Sequence, residues 1–350
     1  MMGATDPLTV ATLGLFERRF AGDDCLMRLA NRRFSEAGMG AEMHAETPEH
    51  LEWVMSFRSS SAAPVIVHLP RDFNLADEHS RNRTFELALK FAGRVSGLVL
   101  HDHPLMVERA ADYLEAARKI NAQLEKIPDC PMLFVEYAAG LEPRDFCNFF
   151  SSIADLQRVG PCIDIGHVGI RAARAAWARI HAGEDICALK SQGARLPSAI
   201  AEVETAVASG LPTVLDLVDT ISALKKPVHY HLHDGHPLST ASAYGVADHL
   251  SFLTENPLNF EYQERRSVAP LFGPAGLAKI VSRAIGLAGG RRVSFTLEIH
   301  PTGERLQLGD AGPLFKHWTD KTNAEKMNHW LAILCRNHEL LLRSVHASDN

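Results

Sequence analysis

The sequence is short of most features that point directly to a function. Its 350 residues include only 4 Trp and 5 Tyr, and none of its 6 Cys forms a Cys-x-x-Cys pair. That spacing excludes zinc ribbons and thioredoxin-like redox motifs. Cys25, Cys130, Cys147, Cys162, Cys187 and Cys335 read as separate thiols in a reducing compartment, none at a ligand position. No uninterrupted apolar run approaches the ~18 residues of a membrane-spanning helix. The opening MMGATDPLTVATLGLF has neither a basic leader nor a myristoylation pattern. No Gly-x-Gly-x-x-Gly follows the first strand-like segment, which argues against a dinucleotide site. Basic excess is missing too. Lys and Arg number 36 against 42 Asp and Glu, a net charge of −6, unlike a protein that coats nucleic acid. The expectation is a cytoplasmic protein with no membrane contact.

Histidine is abundant instead, at 18 residues. It is the commonest metal ligand and titrates near neutrality, so its placement matters. Short apolar runs alternate with helical patterns along the chain. Strands are expected at 8–15, 38–44, 64–68, 97–101, 131–136, 161–164, 228–232 and 293–298. Helices are expected at 23–37, from Thr47-Pro48, at 82–95, 104–124, 143–154, several within 169–226, 275–287 and 323–342. This alternation predicts parallel strands with helical crossovers, and eight strands close a (β/α)8 TIM barrel. The expected architecture is a single domain over residues 1–350. Its sixth βα connection is enlarged, and a helical extension over 301–350 packs on the barrel. The apolar face of Met327, Leu331 and Leu334, with Trp318 and Trp330 nearby, either covers the barrel or forms a homodimer contact.

Strands buried on both faces should be almost wholly apolar. The polar residues that end them are therefore informative. Val65-Ile66-Val67 ends in His68, and Leu98-Val99-Leu100 ends in His101, with His103 close behind. Leu133-Phe134-Val135 ends in Glu136. Cys162-Ile163 ends in Asp164, with His167 three residues on. The seventh segment carries His229, His231 and His233, then Asp234 and His236, and Phe295-Thr296-Leu297 ends in Glu298. These are carboxyl-terminal strand ends, where barrel active sites assemble. Burying Glu136, Asp164 and Glu298 without cations would cost several kcal/mol each, and no Lys or Arg occupies a comparable strand end. Divalent metal ions are the expected counter-charge. Mixed imidazole and carboxylate ligands favour Zn, with Mn, Fe or Co also suitable.

In this order, LFVEYAAG, CIDIGHVG, HLHD and FTLEIH resemble the xylose isomerase-like TIM barrel superfamily over roughly residues 8–300. That superfamily includes sugar isomerases, sugar epimerases and endonuclease IV (AP endonuclease family 2). The resemblance implies a metal site from Glu136, Asp164, His231 and Glu298. The ligand set is closest to endonuclease IV, which implies further ligands at His68, at His101 or His103, and at His167, Asp248 and His249. In that family the last Asp and His are separated by one residue, whereas Asp248 and His249 are adjacent.

The resulting expectation is a di- or trinuclear hydrolase of a phosphate ester, using a metal-bound hydroxide as nucleophile. Glu136, Glu298 and His231 are the expected catalytic residues. Arg71, His233, Asp234, His236 and His300 are candidate substrate contacts, with Asp234 and His236 alternatively orienting His231. A small phosphorylated or sugar-like substrate is favoured over DNA. The alternative is a mononuclear sugar or sugar-phosphate isomerase or epimerase that moves a proton through an enediolate with Glu136 and Glu298. Glu42 is left between two readings, an inward polar residue or a structural partner.

Overall fold

The computed structural model describes residues 8–12, 24–45, 47–58, 64–138, 141–191, 195–239, 260–261, 267–268, 270–298 and 324–346. The strands are β1 (Leu8–Thr12), β2 (Gly40–His44), β3 (Val65–His68), β4 (Gly97–His101), β5 (Met132–Glu136), β6 (Val159–Asp164) and β7 (Val228–Leu232). A short antiparallel pair, β8 (Phe260–Glu261) and β9 (Ser267–Val268), precedes β10 (Val293–Leu297). Parallel register runs through seven strands, from β10 through β1, β2, β3, β4 and β5 to β6. In the strand order β7 lies between β6 and β10, which closes the barrel. Each barrel strand overlaps one of the strand-like runs expected from the sequence.

The residues divide into two compact units. The first holds Met1–Ile163, Thr220–His231 and Leu287–Leu297, and with them nearly all of the barrel strands. The second holds Asp164–Asp219, Leu232–Gly286 and Glu298–Asn350.

In the first unit, strands β3, β5, β6, β7 and β10 are buried along their full length, as expected of parallel strands covered on both faces. Ile66, Val99, Met132, Phe134 and Cys162 form an apolar cluster inside it. Gly40 is needed where β2 meets β3. A Cβ there would stand 2.0 Å from the backbone oxygen of Pro64, which itself accepts the Ala41 N–H at 3.0 Å.

Helices start where the sequence supplies caps. Thr47 accepts the His50 N–H at 3.2 Å ahead of Pro48, and Asp77 accepts the Ser80 N–H at 2.7 Å. Asp77 therefore starts its helix at Glu78, ahead of the expected residue 82. The single helix expected over 104–124 is two, Leu105–Glu108 and Ala110–Leu124. The chain leaves α geometry at Arg109 (φ −116°, ψ 37°), whose guanidinium bonds Asp112 at 2.8 Å.

The sixth connection is enlarged, as expected. It holds three α-helices, Ile165–Ile180, Leu196–Val207 and Gly210–Ala223, and a 3-10 turn, Ile186–Ser191. Ser198–Ala223 is long and apolar enough, by length and composition, to cross a membrane, yet 44% of its most apolar window is buried inside the protein. Core helices meet the same criterion. The last helix runs from Ala324 to His346, with Leu331, Leu334 and Leu341 buried. Trp318, Asp248, His249 and His300 lie outside the described residues.

The Gly40 contact gives a direct test. Gly40→Ala forces backbone against backbone, and overpacking of this kind costs about 1–3 kcal/mol. Urea denaturation should show a lower midpoint with an unchanged slope.

Candidate metal centres

The first unit builds one cluster from adjacent strand ends. His101 and Glu136 are register partners on β4 and β5, and His44 and His68 are partners on β2 and β3. On β7, His229 and His231 are two residues apart and so share a face. Glu136, 3% exposed, is the hub. Its Oε2 is 2.9 Å from His68 Nε2 and 3.6 Å from His101 Nε2, and its Oε1 is 3.3 Å from His231 Nδ1. Burial disfavours the Glu136 charge. The fields of His231 and His101 and hydrogen bonds from His231 and His68 outweigh it and hold this carboxyl well below the usual range.

The partner chemistry fixes the His68 tautomer. A carbonyl can only accept, so His68 Nδ1 donates its proton to Leu69 O at 3.0 Å. The Nε2 that faces Glu136 is then a lone pair in the neutral ring. Two lone-pair atoms at 2.9 Å need a proton or a cation between them. With no ion, the proton wins. Burial lowers the His68 pKa, but the hydrogen bond and charge of Glu136 and the charge of Glu42 lift it to about 9. A backbone carbonyl on the far nitrogen is also how a metal-ligating imidazole is held in place. His68, His101 and Glu136 offer donor atoms within 4.8 Å of one another, a set that fits a zinc-like ion with an open position.

The second unit builds another such cluster. Asp164 is fully buried. It caps the helix Ile165–Ile180 by accepting the His167 N–H on Oδ1 at 2.8 Å. The same oxygen lies 2.7 Å from His233 Nε2, and Oδ2 lies 3.6 Å from His167 Nε2. Burial opposes a charge on His233, but the charge and hydrogen bond of Asp164 raise its pKa above the ordinary value. Asp164, His167 and His233 again offer donors within 4.8 Å of one another. Gly166 makes room for this arrangement, because a Cβ there would stand 1.9 Å from His233 Cε1.

Other expected site residues are placed differently. Of the His101 and His103 pair, only His101 reaches Glu136. His103 Nδ1 accepts the Leu105 N–H at 3.1 Å. Asp234 is fully buried. It accepts the Gly235, Phe272 and Gly273 N–H groups at 2.7–3.3 Å and so anchors the start of the helix Gly273–Ala288. Burial raises its pKa to about 6 against those bonds. His236 accepts the Leu238 N–H and is kept neutral by burial, its pKa near 3. Glu298 is buried just past the end of β10, with its N–H on Leu232 O at 3.2 Å. Arg71 is exposed on the turn after β3.

No family model and no curated protein matches this chain. Among solved structures it is similar to one described as "The crystal structure of AsfvAP:AG". The match has 14% identity and a TM-score of 0.48, covering 94% of this chain and 100% of that one.

Sequence reasoning left Glu42 between two readings and missed the inner layer of the first cluster that it belongs to. Glu42 on β2 lies 3.2 Å from His231 Nε2 and 3.4 Å from His229 Nε2. Ser294 and Thr296 on β10 complete that layer. Cys162 also offers its sulfur within 4.8 Å of the His229 and His231 donor atoms, where no cysteine was expected. Burial pushes its thiol far above the ordinary value, so it stays protonated.

Three outcomes follow. In Gly166→Ala the new methyl displaces His233, and elemental analysis should show about one ion fewer per chain than wild type. Loading an ion at His68 must displace its proton, so zinc affinity should climb with pH up to about 9. The folded pKa of His68 exceeds the unfolded ~6.5. Its stabilising contribution in metal-free protein is therefore full below pH ~6.5 and fades as pH rises through 9. Denaturation of wild type and His68→Gln across that window checks the sign.

Proposed function

We propose that the protein is a multinuclear metal-dependent hydrolase of a phosphate ester, built on a (β/α)8 barrel of the xylose isomerase-like kind. The observation that carries this reading is the pair of buried donor groups, His68–His101–Glu136 and Asp164–His167–His233. Each is complete within its own unit. One ion needs only one such set.

His68, His101, Glu136 and His231 would hold one ion, and Asp164, His167 and His233 another. Bound divalent ions supply a Lewis acid for phosphoryl oxygens and lower the pKa of water. The chain's own residues do the rest. Glu136 stays ionised, with imidazole nitrogens facing both of its oxygens. Arg71 offers a guanidinium for a phosphate dianion at the turn that leaves β3. The acidic overall balance of −6 favours a small phosphorylated or sugar-like substrate over a DNA backbone. The buried thiols Cys130, Cys162 and Cys187 suit a reducing compartment such as the cytoplasm.

Metal counting and activity test this together. Protein stripped with chelator and reloaded with Zn or Mn should hold two or more ions per chain and cleave a generic phosphodiester or a sugar phosphate. His68→Ala and His167→Ala should each lose about one ion and lower kcat/KM by about 100-fold or more. A single ion indifferent to His68→Ala, with hydrogen exchange at a sugar carbon, would sink the hydrolase reading in favour of an isomerase. Faster cleavage of an abasic duplex than of any small ester would overturn the substrate class.

A further inference from the structure

The geometry points to Glu42 as the positioning residue that fixes which nitrogen of His231 is presented to Glu136 and to a bound ion. This inference rests on the reading of His231 as a ligand in the first cluster.

The argument starts from donors and acceptors. Glu42 is 1% exposed, in the middle of β2. An ionised carboxylate only accepts hydrogen bonds. Three side chains converge on its Oε2. Thr296 donates its hydroxyl, His231 Nε2 stands at 3.2 Å and His229 Nε2 at 3.4 Å. The chain of bonds has one consistent direction. Ser294 donates to His229 Nδ1 at 2.8 Å, and His229 Nε2 donates toward Thr296 Oγ1 at 3.0 Å, which in turn donates to Glu42. With its hydroxyl proton committed to Glu42, Thr296 is left to accept from His229.

His231 sits between two carboxylates, Glu42 on Nε2 and Glu136 on Nδ1 at 3.3 Å. An imidazole that ligates an ion through one nitrogen keeps its proton on the other. The other donors of the cluster, His68 and His101, lie on the Glu136 side of the ring, so an ion takes Nδ1 and the remaining proton, on Nε2, faces Glu42. The Nδ1 lone pair is then turned toward Glu136, beside the His68 and His101 nitrogens that face the same carboxylate. A carboxylate on the far nitrogen raises the basicity of a ligating imidazole and locks its ring. Glu42 supplies that from a strand that carries none of the expected ligands.

The tests use the full chain. In a His167→Ala background, which removes a ligand of the other cluster, zinc is titrated against a chromophoric chelator. Glu42→Gln keeps the shape and removes the charge, and should weaken zinc by about 10- to 100-fold. Nitrogen-15 spectra of the zinc-loaded protein should show His231 bound through Nδ1 and protonated on Nε2, and Glu42→Gln should shift the Nε2 resonance. A role in packing alone would not move it. Affinity within twofold of the parent, or a zinc-loaded His231 protonated on Nδ1, overturns the assignment while the metal reading stands. Should zinc fail to bind at all, the metal reading fails and this assignment with it.

Discussion

A carboxylate taken out of water and ringed by imidazole nitrogens is the constraint around which the first unit is arranged. Glu136 cannot be left alone in that position, because an uncompensated buried charge costs several kcal/mol. Strands β3, β4 and β7 each direct one histidine nitrogen at it. The protein can satisfy Glu136 with a proton on His68 or with a cation between the two. Both solutions use the same lone pairs, so proton and metal compete for one place. The backbone carbonyl of Leu69 takes the other His68 proton in either state. That contact keeps the His68 Nε2 turned to Glu136 in a donor set that could hold a cation.

Identical side chains take opposite roles within a few residues of each other, and the surroundings decide which. His233 and His236 are both fully buried. His233 faces Asp164 and its pKa rises. Burial governs His236, and its pKa falls to about 3. Asp164 and Asp234 are both fully buried helix-start aspartates. Asp164 takes one backbone N–H and turns toward two imidazoles. Asp234 spends both oxygens on three backbone N–H groups. Composition alone gives these pairs equal standing, and only the partners separate them.

This explains what was legible in the sequence. A strand buried on both faces admits a polar side chain mainly where it leaves the barrel. A His, Glu or Asp after an apolar run therefore marked the strand ends at His68, His101, Glu136 and Asp164. The same reasoning could not separate His101 from His103, since both follow β4 closely. Pairing of His101 with Glu136 in register made the choice. Glu42 stayed between two readings, an inward polar residue near the site or a structural partner of a barrel arginine, for the opposite reason. It lies inside a strand, between Ala41 and Met43, and a lone glutamate in a short strand is ordinarily solvated. Its burial makes sense only with His229, His231 and Thr296, which are 187, 189 and 254 residues away along the chain. The one available hint was the two-residue spacing of His229 and His231, which puts both on the same face as any inward carboxylate.

Asp164 shows why the second cluster is economical. A helix amino terminus carries unsatisfied N–H groups and a positive dipole end, so a carboxylate there is stabilised before any ligand arrives. The cap bond to the His167 N–H also sets where His167 begins its turn of helix, and that puts its ring within reach of Oδ2. His233 then closes on Oδ1, through the space that Gly166 leaves open. One aspartate thus starts the helix, sets His167 three residues on, and offers a donor oxygen of its own. The Asp-x-x-His spacing is the sequence trace of that geometry. The cap requires the three-residue interval, and the donor set of Asp164, His167 and His233 is built on it.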